Sequence, residues 1–443
     1  MKTADPLEYW TLTQRWPKEY FEQDNRIKED LEQGSCLEEQ MENPIQDIKY
    51  VEVNGFRLPC PIRKAPTSVR QKQSDSSLNS SGDQTNREKK SAPYRTVRYT
   101  TLLEGKGSYM HKSDLGITEG SKNLYSRLLG LEQAVPTDSL FRNDLFEKTC
   151  RKIEDRNEAR VIQDITRLIV PSAETLATYG ATHLEHLIEG VNETWTGNIA
   201  VVGPLPKPDY SVGFRRSAFN AERLKKLDKL IGSVFETSLF VATYRMYFPF
   251  LTCEVKCGAA ALDIADRQNA HSMTIAVRAL VELFRSVKRE KELNQEILTF
   301  SISHDHTSVR IYGHYLVIEG DKTTFYRHPI RKFDFTDGDE KWTAYKFIKN
   351  IYGYWMPQLH EKICSGIDDL PASINFDLSQ SASFSQSTPQ SSQQSNAEPI
   401  LGEDDSQLSI LASQEATPTT SFTQTTKPAF KRPRHQRAAG QQR

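Results

Sequence analysis

Two hydrophobic runs, each leading to an acidic residue, constrain this chain more than any other feature. Asn198-Ile199-Ala200-Val201-Val202 leads up to Pro208-Asp209, and Tyr247-Phe248-Pro249-Phe250-Leu251-Thr252-Cys253 runs directly into Glu254-Val255-Lys256. Runs of this length, rich in β-branched and aromatic residues, read as strands. The 45 residues from Asp209 to Glu254 must then bring the chain back to the same sheet. Two carboxylates and an amine at neighbouring strand ends suit metal-assisted phosphodiester hydrolysis. The acids are hard oxygen ligands for Mg²⁺ or Mn²⁺. The metal lowers the pKa of a bound water, and the amine orients that water or offsets charge on the phosphorane.

The tripeptide alone carries little information. Acid-x-Lys recurs at Asp47-Ile48-Lys49 and Asp339-Glu340-Lys341, in polar, turn-like surroundings. Only Glu254 follows a strand-like run, and Pro-Asp occurs once among the 21 prolines. The order of elements adds weight. Val161, Ile162, Ile165, Leu168 and Ile169 recur at helical spacing, which predicts a helix over Glu158–Ile169 that Pro171 ends. A second helix is expected over Ala173–Ile188 with Gly190 as its stop, then a strand to Val202, and the Pro208–Val212 strand. Further helices are expected at Ser121–Leu131 and, between the two acids, at Asn220–Ile231. A long helix over Asp263–Arg289 follows, then strands at Ile297–Ser303, Ser308–Ile318 and Thr323–His328, and a closing helix over Trp342–Cys364. This is an α/β order: a mixed central sheet flanked by helices.

Composition sets the domain limits. Hydrophobic residues make up 37% of the 443, low for a chain globular throughout. Residues 1–90 read as a mostly disordered polar arm and 91–370 as the α/β core. Residues 371–443 form a Ser/Gln/Thr-rich tail that buries too little apolar area to offset ordering entropy. No apolar run reaches the ~20 residues of a membrane span, and no signal-peptide core opens the chain. Six scattered cysteines, Cys253 and Cys257 flanking the Glu-x-Lys, read as buried thiols in a reducing compartment.

The segments Pro206-Lys207-Pro208-Asp209-Tyr210-Ser211-Val212-Gly213, Phe250-Leu251-Thr252-Cys253-Glu254-Val255-Lys256-Cys257 and Ala265-Asp266-Arg267-Gln268-Asn269-Ala270-His271 resemble a large fungal family of unknown function. Arg156-Asn157-Glu158-Ala159 and Ile169-Val170-Pro171-Ser172-Ala173-Glu174 fit the same family. Its core is similar to the PD-(D/E)XK, or restriction-endonuclease-like, nucleases. The resemblance spans roughly residues 90–370 and implies a fold and a candidate active site, with no activity to carry over. It implies Asp209 and Glu254 as metal ligands, Lys256 as the catalytic amine and Glu158 as a third acid, although an acid opening a helix is also favoured by the helix dipole. It further implies that Gln268, on the helix after the Glu-x-Lys strand, holds the site or the substrate. Beside Gln268, the residues Arg267, His271, Thr274, Arg278, Glu282 and Arg285 form one polar stripe that reads for the most part as a solvated helix face, while His271, like Gln268 near the presumed site, is equally open to a functional role.

Charge points weakly to DNA or RNA. The chain carries a formal net charge of −1, but residues 201–300 hold 15 Lys/Arg against 11 Asp/Glu. Arg215 and Arg216, with Arg223, Lys225, Lys226 and Lys229 on the intervening helix, are the candidate phosphate contacts. Equally, they read as a solubilising face. Lys431, Arg432, Arg434 and Arg437 form a terminal basic cluster of the nuclear-import kind, so the expected location is nuclear, otherwise cytoplasmic. His304-Asp305-His306 reads as turn residues and not as a metal site. No Gly-x-Ser-x-Gly and no phosphate loop occur, which argues against a serine hydrolase and a nucleotide cofactor. Three readings stand: an active nuclease, a catalytically silent relative that binds nucleic acid or protein, and a scaffold between polar arms. Substrate and oligomeric state stay open.

Overall fold

The computed structural model describes residues 48–64, 90–233, 235–257 and 262–372. The Lys431-Arg432-Arg434-Arg437 cluster and nearly all of the 371–443 tail lie outside the described residues. The strands among the described residues are β1 (Tyr50–Val53), β2 (Phe56–Pro59), β3 (Ile62–Arg63), β4 (Leu187–Val191), β5 (Tyr210–Phe214), β6 (Glu236–Thr237), β7 (Tyr247–Val255), β8 (Thr299–His304), β9 (Ser308–Glu319) and β10 (Lys322–Asp334). Six of them make one mixed sheet in the order β10-β9-β8-β7-β5-β4. β1 pairs with β2, and β3 with β6, in two small ribbons.

Within the large sheet only β7 and β8 run parallel; the other neighbours are antiparallel. A parallel pair needs a long connection, and the helix Leu262–Ser286 supplies it. β7 is buried along its whole length, which explains why its sequence is a near-continuous apolar run without alternation. Asn269 of the crossover helix fastens it to one face of the sheet. Its Oδ1 accepts the Thr252 hydroxyl at 2.7 Å, and its Nδ2 donates to Ser303 Oγ at 3.0 Å and to the Ile302 carbonyl at 2.8 Å. Side chains alternate between faces along a strand. Phe300, out of step with Ser303, points the other way and packs on Phe347 and Trp355 at ring separations of 5.7 and 4.8 Å. Those two rings belong to the helical stretch 343–368, which closes the fold.

Several expectations need correction. The helix begun at Ala173 stops at Thr178, where Gly180 adopts a φ of +102°. Leu187 and Ile188, expected to end that helix, and Gly190, expected as its stop, instead belong to edge strand β4, paired with β5. That strand occupies the place beside β5, so Asn198–Val202 is no strand. It folds into a buried, turn-rich segment in which Asn198 Nδ2 donates to the Leu239 and Val241 carbonyls. The helix 158–169 is present, but its middle turn, Ile162–Thr166, is a π-helix.

Most of the supposed solvated face of the crossover helix is buried, Arg278 and Arg285 being partly exposed. Arg267, His271, Thr274 and Glu282 are each no more than 9% exposed. The 48–64 and 90–104 segments account for this. Tyr50 of β1 donates to Glu282 at 3.0 Å, Leu58 of β2 belongs to the main core, and Tyr94 covers His271. Residues of the polar arm thus complete the core.

Candidate active site

The strand register brings the two acids together. Tyr210 pairs with Cys253, so Asp209, one residue before β5, lies opposite the end of β7. Its Oδ2 accepts the Val255 backbone N–H at 2.9 Å. Glu254 and Lys256 follow on the same strand end, and both are 1% exposed. Lys256 donates through its backbone N–H to the His304 carbonyl at 3.1 Å and through Nζ to the Val255 carbonyl at 2.8 Å. Glu158 opens its helix behind an Asn157 cap that accepts the Arg160 N–H. Its Oε2 lies 3.6 Å from Lys256 Nζ. Asp209, Glu254, Lys256 and Glu158 therefore share one corner of the molecule, where β5 starts and β7 ends.

A fifth residue joins them. Lys90 Nζ lies 2.9 Å from Asp209 Oδ1 and 3.1 Å from Glu254 Oε2, bridging both acids. Sequence reasoning put Lys90 at the end of a polar linker. The only local signal was the change to mixed apolar and polar residues near Tyr94, the next helical turn on the same segment.

Burial dominates the electrostatics. It opposes ionisation of Asp209, but Lys90, Lys256 and the Val255 N–H outweigh it and hold that carboxyl well below the usual range. Burial pushes Glu254 up to about 8; Lys90 pulls against the rise and Asp209 adds to it. Burial also disfavours the charge on Lys90, yet Glu254 and Asp209 keep its pKa above the ordinary lysine value. Asp209 is thus the member of the pair that holds its charge, with Lys90 as its counter-ion.

Gln268 is buried on the crossover helix and its Oε1 has no hydrogen-bond partner; no bond links it to the acids among the described residues. His271 is a neutral core histidine. Its Nδ1 meets the Tyr94 hydroxyl at 3.0 Å, and burial pushes its pKa down to about 3. His304 is likewise buried, its Nε2 on Thr166 Oγ1 at 3.0 Å, while Asp305 accepts the Thr307 and Ser308 N–H groups of the turn. Cys253 and Cys257 are free thiols.

The basic cluster lies elsewhere. Arg215 and Arg216 follow the opposite end of β5 from Asp209, roughly 20 Å away at ~3.3 Å per residue. They are used internally: Arg215 pairs with Glu174 at 2.6 Å and Arg216 with Asp228 at 2.5 Å. On the helix Ala221–Ile231, Arg223 pairs with Asp368 and Lys225 with Glu222, and Lys226 donates to the Asp368 carbonyl. Lys229 is exposed.

Among the described residues, no three His, Cys, Asp or Glu side chains are grouped to hold a metal ion, and no helix is long and apolar enough to cross a membrane. Mg²⁺ usually keeps several waters and binds proteins through one or two carboxylates. Asp209 and Glu254, whose oxygens converge on a single cationic point, are a donor set of that kind.

Fold and site define a mixed α/β protein with a buried carboxylate–amine cluster at the ends of its central strands. The model of a domain of unknown function, DUF7924, matches residues 145–367, and the chain belongs to that family. Comparison with curated proteins and with solved structures gives no match.

Proposed function

We propose that this chain is a metal-dependent nuclease of the PD-(D/E)XK type, hydrolysing phosphodiester bonds of DNA or RNA with Mg²⁺ or Mn²⁺ at Asp209 and Glu254. The observation that carries the reading is the convergence of both carboxylates on one cation, with Lys256 in the same corner. Bound there, the metal would lower the pKa of a coordinated water and neutralise charge at the phosphate. Asp209 supplies the permanent negative charge, and its backbone-anchored carboxylate fixes the site to the sheet. Glu254 supplies the second oxygen ligand once it gives up its proton. Lys256, held by the Val255 carbonyl and near Glu158, is the amine placed to orient a water or to offset charge as the phosphorane forms. Glu158 sets the orientation of Lys256.

Purified full-length protein, incubated with single- and double-stranded DNA and RNA and either metal, is expected to nick at least one substrate and to stop on chelation. Silence on every combination would sink the reading.

A second reading has its own support. Lys90 already stands where the ion would stand, as expected of a catalytically silent member of the fold that binds nucleic acid or protein. That protein would hold its acids in place without turnover.

A further inference from the structure

The carboxylate pair already has a cation, and that cation belongs to the protein. Lys90 is 8% exposed in its side chain, and its ammonium touches both acids. A divalent ion needs oxygen ligands at ~2.1 Å, so it and the ammonium cannot occupy the same place. Occupancy is exclusive.

The contacts that anchor the segment are made by Tyr94 and not by the stem of Lys90. The helical turn 90–95 is fixed by Tyr94: its carbonyl accepts Arg267 Nε–H at 2.6 Å, its hydroxyl meets His271 Nδ1 at 3.0 Å, and its ring lies 4.5 Å from that of Tyr99. These contacts hold the backbone against the crossover helix, four residues beyond Lys90. The ammonium reaches the acids only through its four-carbon stem, whose rotations leave Tyr94 in place.

We propose that Lys90 is a tethered cation standing in the metal's place, so that a divalent ion enters the Asp209–Glu254 pair only as Lys90 leaves it. This rests on the metal reading of the same two acids. The structure then corresponds to the closed form of the site, and the segment carrying Lys90 is its plug.

Calorimetric titration of the full chain with Mn²⁺ tests the idea. Lys90→Ala is expected to bind Mn²⁺ at least tenfold more tightly than the wild type, and the gain should vanish in Lys90→Ala/Asp209→Asn. Should Lys90→Ala fail to fold, Lys90→Gln, one atom shorter and uncharged but still a donor, takes its place with the same expectation. Equal affinities, or no binding to any variant, would overturn the proposal. An independent readout uses the wild type alone: Lys90 acetylation followed by mass spectrometry. Protection without Mn²⁺ and at least fivefold faster labelling with saturating Mn²⁺ are expected; an unchanged rate with Mn²⁺ bound would overturn it. Tighter binding without cleavage of any nucleic acid would leave the plug standing and remove the nuclease reading. Mn²⁺-dependent cleavage at equal metal affinity in wild type and variant would do the reverse.

Discussion

Asp209 and Lys256 are the residues whose loss should separate chemistry from architecture. Asp209→Asn keeps an oxygen to accept the Val255 N–H, so the strand end should survive while the permanent charge is lost. Lys256→Ala removes the amine but leaves its backbone bond to His304. Each is expected to reduce any cleavage by at least about 100-fold, about 2.7 kcal/mol of transition-state stabilisation, in a gel-based nicking assay. His304→Ala, which loses only Thr166 and turn contacts, should retain activity. Lys90 differs, because it is the counter-ion of the buried Asp209 and a hydrogen-bond donor to Glu254. Its removal takes that cation from Asp209 and should cost about 3 kcal/mol of stability in a denaturant titration. Glu254 and Lys256 were legible in the sequence because the β7 run leads directly into them; Asp209 was legible through the single Pro-Asp and the strand after it, the Asn198–Val202 run before it being no strand. Lys90 was not, because its partners lie 119 and 164 residues away along the chain and nothing local distinguishes a lysine that will be buried from one that will be solvated.

At the scale of elements, the join between β5 and β7 is closely packed at the end away from Asp209. Their register shifts between Val212 and Phe214. A Cβ on Gly213 would meet Met246 Cγ at 2.6 Å and the Tyr247 carbonyl oxygen at 2.9 Å. Since the second neighbour is backbone and cannot swing aside, Gly213→Ala should destabilise by about 2 kcal/mol. Gly353, in the π-turn Ile351–Trp355, has open space where a Cβ would go, so Gly353→Ala should be neutral or stabilising by about 0.5 kcal/mol. Thermal melts of the two variants check both signs. Helices with a clear apolar stripe, such as 221–231 and 262–286, were legible in the sequence, as was the β7 run. Leu187–Val191 was not: its pattern suits a helix as well as an edge strand, and only the vacant edge of β5 decides between them. Asn198–Val202 failed for the converse reason, being apolar enough for a strand but having no edge left to join.

For the molecule as a whole, acid should be the sensitive side. His271 and His314 are buried and uncharged. Burial, aided by Arg278 for the first and Arg327 for the second, pushes each down to about 3. In the unfolded chain both titrate near 6.5. Between those values the unfolded state takes up protons that the folded state refuses, so their contribution is complete above about 6.5 and is lost as pH falls toward 3. The limiting slope is about 1.4 kcal/mol per pH unit for each histidine. Denaturant midpoints are therefore expected to drop from pH 7 to pH 5, and His314→Gln should flatten that drop relative to wild type. An equal slope in the two proteins would place the acid sensitivity elsewhere.

The strand order carries a consequence for biosynthesis. Reading across the large sheet from β4 to β10, each strand lies beside its predecessor in the chain, apart from the two-residue β6, which pairs with β3. A nascent chain leaving the ribosome would offer each new strand an edge already formed, without waiting for distant partners. The second edge completed in this way, β5 against β7 after β4 against β5, is the one that presses Asp209 and Glu254 together. Lys90 emerges more than a hundred residues before either acid, so their counter-charge is made before they are.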